Sequence, residues 1–151
     1  MESEYAVRVP PFARAARITL LASLALVAAT SALGGVALVF SPVIGDSPIS
    51  LPVEILEGSG FGSYVLPGII LLIVVAGTHA LAFWLVNRRH RFGPAAASVA
   101  GCGILIWIFV QMVFIPFSAL QAIYFGFGLL ELGLVLLLLD VFGARQARDQ
   151  S

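Results

Sequence analysis

Long apolar runs separated by short polar segments dominate the chain. Four of these runs are long enough to cross a hydrocarbon core about 30 Å thick, which takes roughly 20 helical residues. They predict membrane spans at about 18–40, 65–86, 95–115 and 119–141. We therefore expect an all-α fold, in which an integral membrane four-helix bundle forms one domain over residues 1–151.

Composition places the chain in the membrane class. Its 151 residues are 60% hydrophobic and 11% charged, with a mean hydropathy of +1.06, far above that of an ordinary soluble domain. The first run follows Arg14 and Arg17 and contains small residues, as a signal peptide does. Its apolar stretch extends to Phe40, beyond the roughly 7 to 15 residues of a signal core, so we interpret it as a retained span.

The positive charges predict how the chain is threaded. There is no lysine, and the eight arginines fall in three groups that four spans place on one side. By the positive-inside rule that side is the cytoplasm, so we expect both termini there (N-in, C-in) in a multi-pass protein of the plasma membrane. The lipid bilayer is then the expected partner, and the net charge of zero argues against nucleic acid. The groups are Arg8, Arg14 and Arg17; Arg88, Arg89 and Arg91; and Arg145 and Arg148.

The loop between the first two spans, residues 41–64, carries carboxylates and no basic residue. Within it, residues 51–57 combine apolar side chains with Glu54 and Glu57, the pattern of a short amphipathic segment that lies on the membrane surface. The glycines that follow lack the strand and the lysine of a nucleotide-binding motif. We expect this outer-loop segment to cap the bundle, either as a plain connector, which we favour, or as a lid over a cavity.

Cysteine and histidine are too scarce for several kinds of site. Cys102 is the single cysteine, which excludes an internal disulfide and a C-x-x-C redox pair. His90 belongs to the basic turn, so one chain cannot hold a haem between two histidines within the bilayer. His79, Cys102 and Glu131 lie on different predicted helices and lack metal-ligand spacing. We therefore expect no cofactor, no metal site and no catalytic residue.

Polar and small residues share faces of the predicted helices. The fourth span has four of them at i, i+3, i+7 and i+10, which fall within one stripe at about 100° per residue. Such faces let helices approach closely and form hydrogen bonds between them, which favours one compact bundle. The faces are Gln121, Tyr124, Gly128 and Glu131 in the fourth span; Thr19, Ser23, Thr30 and Gly34 in the first; and Ala100, Gly103, Ile104, Trp107 and Gln111 in the third.

Glu131 and His79 are predicted to lie at similar depth. At 1.5 Å per residue, each is about 20 Å from the outer end of its span, near the bilayer centre, so the two side chains can meet. A carboxylic acid there costs on the order of 2.5 to 3.5 kcal/mol on insertion scales, which favours an inward-facing, partnered or protonated Glu131. Three interpretations stay open: a hydrogen bond that sets helix register, which we favour; a proton-linked or ligand-binding site; and a contact between copies. The candidate ligand-binding residues are Glu131, His79, Gln111, Tyr124, Gln121 and Trp107.

Three segments carry a resemblance to known proteins: PVEILEGSGFGSYVLPGIILLIVVAG (Pro52 to Gly77), WIFVQ (Trp107 to Gln111) and LQAIYFGFGLLEL (Leu120 to Leu132). In these segments the chain resembles small, uncharacterised four-span membrane proteins of bacteria, a group that implies a fold and no activity. The size and layout are also similar to those of DoxX-like proteins, four-helix membrane proteins of which some members associate with respiratory or redox complexes. The resemblance implies a bacterial inner-membrane protein and a membrane complex as a partner.

Three function hypotheses from different classes follow. The favoured one is a small non-catalytic multi-pass membrane protein that assembles with itself, as a homo-oligomer, or with a larger membrane complex, its polar stripes being used in helix contacts. The alternative is a small carrier or binding protein for an apolar or protonatable molecule, which requires an open pocket beside Glu131 and His79. The least favoured is a membrane enzyme in which this pair moves a proton, because no hydrolase, redox or metal signature accompanies it.

Overall fold

A computed structural model describes residues 11–44 and 63–148, which form four helices and contain no strand. The helices are α1 (Pro11–Ile44), α2 (Val65–Asn87), α3 (Gly93–Phe114) and α4 (Ala119–Arg148). Each contains a stretch that is long and apolar enough to cross a membrane. The predicted all-α class and the four spans are therefore confirmed for the described residues. Four such helices are the pattern of a multi-pass membrane protein.

The first and last helices continue beyond the predicted spans into polar sequence. α1 begins at Pro11 instead of near residue 18, and α4 reaches Arg148 instead of ending near residue 141. A span prediction counts only the apolar run, whereas a formed helix adds one backbone hydrogen bond for each further residue, polar or not. The predicted amphipathic outer segment falls largely in residues 45–62, which lie outside the described residues.

Pro42 lies in the last turn of α1, where its missing N–H removes the helical donor to the carbonyl of Leu38. The hydroxyl Oγ of Ser41 donates to that carbonyl oxygen at 2.8 Å. The side chain next to the proline thus replaces the lost backbone bond, and α1 continues to Ile44.

α2 is not a uniform α-helix. Val65–Ile70 and Thr78–Asn87 are α-helical, and Leu71–Gly77 between them form a π-helical segment. A π-helix bonds each residue to the fifth along the chain, so its side chains are rotated about the axis relative to an α-helical register. Because the segment ends just before Thr78, it contributes to the direction in which the next residue, His79, points.

The helices pack in a ring that follows chain order. α1 contacts α2 and α4, α2 also contacts α3, and α3 also contacts α4. The connections from α2 to α3 and from α3 to α4 are only residues 88–92 and 115–118, so these three helices alternate in direction, as in an up-and-down bundle. Every helix therefore has two neighbours within the chain and one face turned outward.

Glycines mark two places where the backbones of different helices approach closely. A Cβ on Gly68 of α2 would lie 2.9 Å from the carbonyl oxygen of Gly35 in α1. A Cβ on Gly101 of α3 would lie 3.3 Å from the carbonyl oxygen of Gly128 in α4. Small residues permit such crossings in membrane helices, where van der Waals packing between helices replaces the hydrophobic effect. These crossings hold α1 against α2 and α3 against α4.

Apolar side chains fill the interior in two clusters. We call the end of the bundle with Arg17 and residues 88–92 the basic end. The basic-end cluster contains Ala13, Ala16, Leu20, Leu24, Ala82, Val86, Ala97, Ala100, Val135 and Leu138. The far-end cluster contains Val27, Val75, Ile104 and Ile108. Along α2, His79 lies between Val75 of the far-end cluster and Ala82 of the basic-end cluster. Along α4, Glu131 lies between Phe127, which packs against the far-end cluster, and Val135 of the basic-end cluster.

The buried face of α1 differs from the predicted one. Ser23 is buried, but Thr19 is exposed, and Thr30 and Gly34 are only partly buried. Thr30 Oγ1 donates to the carbonyl oxygen of Leu26 at 2.7 Å, so the hydroxyl is satisfied within its own helix and needs no inward face. The predicted face is therefore wrong at Thr19. The buried positions of α1 are Ala13, Ala16, Leu20, Ser23, Leu24, Val27, Ser31 and Gly35.

Candidate functional site

Three polar side chains from three helices meet in the middle of the bundle, and we call Ser23, His79 and Glu131 the central polar cluster. Ser23 Oγ of α1 donates to Glu131 Oε1 of α4 at 2.7 Å. His79 Nε2 of α2 lies 3.2 Å from Glu131 Oε2. The contact between His79 and Glu131 that depth counting predicted is therefore present, and Ser23 adds α1 to it.

The second ring nitrogen of His79 determines its tautomer. His79 Nδ1 lies 2.7 Å from the carbonyl oxygen of Val75, one turn earlier in α2. A carbonyl oxygen only accepts hydrogen bonds, so Nδ1 carries a proton and donates it. Nε2 is then free to accept from a protonated Glu131, or to donate to an ionised one if the ring is an imidazolium.

His79 Nε2 and Glu131 Oε2 are close to each other and to no other polar partner. Neither atom has a hydrogen-bond partner in the described part of the chain. The two atoms lie within ion-pair range but are not aligned as in a good hydrogen bond. Whether the proton is on the ring or on the carboxyl group, the pair carries no net charge, which is the condition for placing both groups inside a bilayer.

The central polar cluster is closed to water in this conformation. The side chains of His79 and Glu131 are each 0% exposed, and Ser23 is 4% exposed. No water-sized sphere therefore reaches the carboxyl group or the ring. Cys102 of α3 is exposed and does not join the pair. Through its contacts with Ser23 and His79, the carboxyl group of Glu131 links α1, α2 and α4.

Gln121, a predicted ligand-binding residue, contributes instead to the start of α4. The backbone N–H of Ser118 donates to Gln121 Oε1 at 2.9 Å, and the N–H of Gln121 lies 3.4 Å from Ser118 Oγ. This reciprocal arrangement is a capping box, in which a serine and a glutamine three residues later satisfy each other's backbone donors. Gln121 Nε2 is buried without a hydrogen-bond partner among the described residues.

The other three predicted residues lie toward the far end of the bundle. Trp107 and Tyr124 are partly buried and pack against the far-end cluster. Gln111 is partly buried in the last turns of α3. None of the described polar contacts joins these three to the central polar cluster. Of the six predicted residues, the structure therefore brings together His79 and Glu131. It adds Ser23, which the sequence indicated only as a hydroxyl on the polar face of the first span.

An open apolar groove lies on the outward side between α3 and α4. It includes none of the six predicted residues, and its surface is almost entirely carbon. The groove lies within the membrane-spanning part of the bundle, so lipid acyl chains are expected to fill it. It gives no access to the carboxyl group of Glu131. Its lining residues are Leu105, Ile106, Phe109, Val110, Val113 and Phe125.

Comparisons with known proteins add no relative. No protein-family model, curated protein or solved structure matches the chain. The resemblance to DoxX-like proteins therefore stays a prediction, and inference about function starts from the central polar cluster.

Proposed function

We propose that the protein is a small, non-catalytic multi-pass protein of the plasma membrane that assembles with itself or with a larger membrane complex. The observation that carries this proposal is the closed contact of Ser23, His79 and Glu131, whose side chains are at most 4% exposed. In a site that acts on a substrate, at least one of these groups has to be reachable. Here all three polar ends are directed to one another, which is the arrangement expected of groups that hold helices together.

Assembly is supported by the outward face of α4. Gly126 and Gly133 are exposed, and a Cβ added at either would meet nothing within 4 Å. They are seven residues apart, so they lie on the same side of the helix. Among the described residues these glycines serve no close approach, in contrast to Gly128, which faces α3. A second membrane helix can approach such a face closely, and a second copy of this chain is the occupant we favour.

The proposed orientation has both termini in the cytoplasm. It is supported by the arginines of α1 and of the turn after α2, which lie at one end: Arg17 donates to the carbonyl oxygens of Val86 and Asn87 at 3.1 and 2.9 Å. Labelling of single cysteines placed in the turn, in a Cys102→Ser background, tests it. Labelling of intact cells by a reagent that cannot cross the membrane would contradict the orientation.

Native mass spectrometry of the full chain in a mild detergent tests the assembly. We expect an oligomer for the wild type, and a shift toward monomer when Gly126 or Gly133 is replaced by leucine. Gly103→Leu is the matched control, because Gly103 of α3 also has open space around it and lies away from that face. A monomeric wild type that also captures no membrane complex from its own membranes would refute the proposal.

The carrier hypothesis keeps one observation in its favour. The π-helical segment Leu71–Gly77 ends directly before the turn with His79, and π-helical turns are frequent at functional sites. For a ligand to reach Glu131, this part of α2 has to move, because the carboxyl group is 0% exposed. The same mass spectra decide: a small molecule that copurifies with the wild type and is lost in Glu131→Ala would favour a carrier over an assembly protein.

A further inference from the structure

We infer that the basic end of the bundle binds the phosphate group of an anionic membrane phospholipid. The residues that would form the site come from the start of α1 and from the turn between α2 and α3. Neither element forms the site alone. The five arginines are Arg14, Arg17, Arg88, Arg89 and Arg91.

Arg17 connects the two elements. One nitrogen of its guanidinium group, Nη2, donates to the carbonyl oxygens of Val86 and Asn87 at 3.1 and 2.9 Å. These carbonyls belong to the last turn of α2, where the regular α-helical N–H donors end. A guanidinium group has five N–H donors in a planar fork. Because both bonds use Nη2, Nη1 and Nε can donate to an acceptor outside the helix.

Arg89 places a second guanidinium group beside Arg17. It has a positive φ of 52°, as the residue after a helix end often does. The N–H groups of Arg89 and His90 donate back to the carbonyls of Val86 and Leu85 at 3.1 and 2.9 Å, which completes a Schellman motif. The carbonyl oxygen of Val86 that accepts from the Arg89 N–H also accepts from Arg17 Nη2. Arg17 and Arg89 therefore belong to the same turn, and an anion there would be attracted by both positive charges.

Two further arginines lie over exposed aromatic rings. The guanidinium carbon of Arg88 is 5.3 Å from the centre of the Trp84 ring, and that of Arg91 is 4.5 Å from the centre of the Phe92 ring. Trp84 is 51% and Phe92 is 53% exposed. Exposed aromatic rings at the end of a membrane helix are typical of the headgroup level of the bilayer. The arginines are therefore held at the depth at which lipid phosphates lie.

No described carboxylate neutralises these arginines. In residues 11–43 and 63–139, whose side chains the structure describes, the one acidic residue is Glu131. Glu131 is buried and contacts Ser23 and His79. The one ion pair found in those ranges is that of His79 with Glu131, and it includes no arginine. The side chains that the structure describes therefore leave the positive charges of these arginines without a carboxylate partner.

A phospholipid supplies that counter-charge better than a free anion does. Its phosphate has several acceptor oxygens that match the planar fork of arginine. Its acyl chains are held by the surrounding bilayer beside the exposed apolar residues of α1 and α2, so its phosphate is presented at high local concentration. Each arginine near an anionic membrane surface contributes about a fivefold increase in affinity.

The test is native mass spectrometry of the full chain, titrated with phosphatidylglycerol or with phosphatidylcholine of identical acyl chains. We expect phosphatidylglycerol to bind in preference, and the double variant Arg89→Gln/Arg91→Gln to lose at least about fivefold of that preference. Both positions are exposed, so the bundle is expected to remain folded, as far-UV circular dichroism will check. Arg148→Gln is the matched control, because it removes one charge from the last turn of α4.

Three outcomes would overturn the inference. The first is equal binding of the two lipids. The second is that Arg148→Gln loses half as much of the preference for phosphatidylglycerol as the double variant does. Because it removes half as many charges, this result would mean that only net charge matters. The third is displacement of phosphatidylglycerol by inorganic phosphate, which would make the site one for a soluble anion. None of these outcomes depends on whether the protein forms an oligomer.

Discussion

Replacing Glu131 by glutamine is expected to leave the bundle almost as stable as the wild type, whereas replacing it by alanine is not. The reason lies in the donors and acceptors of the central polar cluster. His79 Nδ1 donates to Val75, at 2.7 Å, so a neutral ring accepts at Nε2. A protonated Glu131 then donates from Oε2 and accepts from Ser23 at Oε1, and glutamine can donate and accept in the same two directions.

The neutral form is the one we expect, because two ions are costly to bury where no water reaches them. Desolvation of an ion pair in a low-dielectric interior often exceeds the attraction between its members. Only one further hydrogen bond, from Ser23, compensates the carboxyl group. If the pair were instead ionised, Glu131→Gln would remove the counter-ion of a buried imidazolium, and stability would fall with the glutamine as well.

The size of the alanine effect follows from the groups left behind. Glu131→Ala leaves the hydroxyl of Ser23 buried without its hydrogen-bond partner and takes the carboxyl group away from Nε2 of His79, 3.2 Å from it. Each loss costs about 1 to 3 kcal/mol by soluble-protein experience. In a bilayer the separated helices also find partners for such groups, which reduces measured contributions to about 0.6 kcal/mol on average. We therefore expect Glu131→Ala to lower the free energy of unfolding by about 2 kcal/mol, and Glu131→Gln by less than about 0.5 kcal/mol.

Unfolding by sodium dodecyl sulfate in mixed micelles, followed by far-UV circular dichroism, measures both changes. Thr30→Ala is the matched control, because its hydroxyl bonds only to carbonyls of its own helix. A glutamine variant as unstable as the alanine variant would show that the pair is ionised. An alanine variant as stable as the wild type would show that the central polar cluster does not hold the bundle together.

Three further predictions concern other parts of the fold and are tested in the same unfolding assay. Gly68→Ala should destabilise by about 1 to 3 kcal/mol, since its Cβ would lie 2.9 Å from backbone atoms of α1, whereas Gly103→Ala, with open space, should be neutral or slightly stabilising. Arg89→Gly should be more stable than Arg89→Ala by about 1 kcal/mol, because only glycine adopts the positive φ of 52° without strain; equal stabilities would argue against strain there. Ser118→Ala should cost about 1 kcal/mol by removing the cap of α4, and a smaller loss than in Thr30→Ala would contradict the capping role.

Several features followed from local sequence because their physical cause is local. A hydrocarbon core needs about 20 apolar helical residues whatever the fold, so the four spans were readable from run length alone. The buried stripe of α4 was readable too: Gln121, Gly128 and Glu131 are all buried, and Tyr124 is partly so. A single polar stripe on an otherwise apolar helix has one direction in which it can be satisfied, which is inward.

Other features needed the tertiary structure because they depend on which helices are neighbours. Depth counting indicated that His79 and Glu131 could meet, but the third member of the cluster, Ser23, required α1 to lie beside both α2 and α4. Gln121 was predicted to bind a ligand because the sequence shows only that it shares a helix face with Glu131. In the structure its side-chain oxygen accepts from Ser118 at the start of α4.

The division has one physical reason. Hydrophobic run length and helical period act along the chain, so the sequence alone determined the fold class, the number of spans and the inward face of α4. Helix rotation and neighbour order result from the packing of all four helices at once. The position of α1 in the ring explains three such features: Thr19 points outward, Gly68 meets Gly35, and Ser23 reaches Glu131. They depend on contacts between helices, which no single segment of the sequence contains.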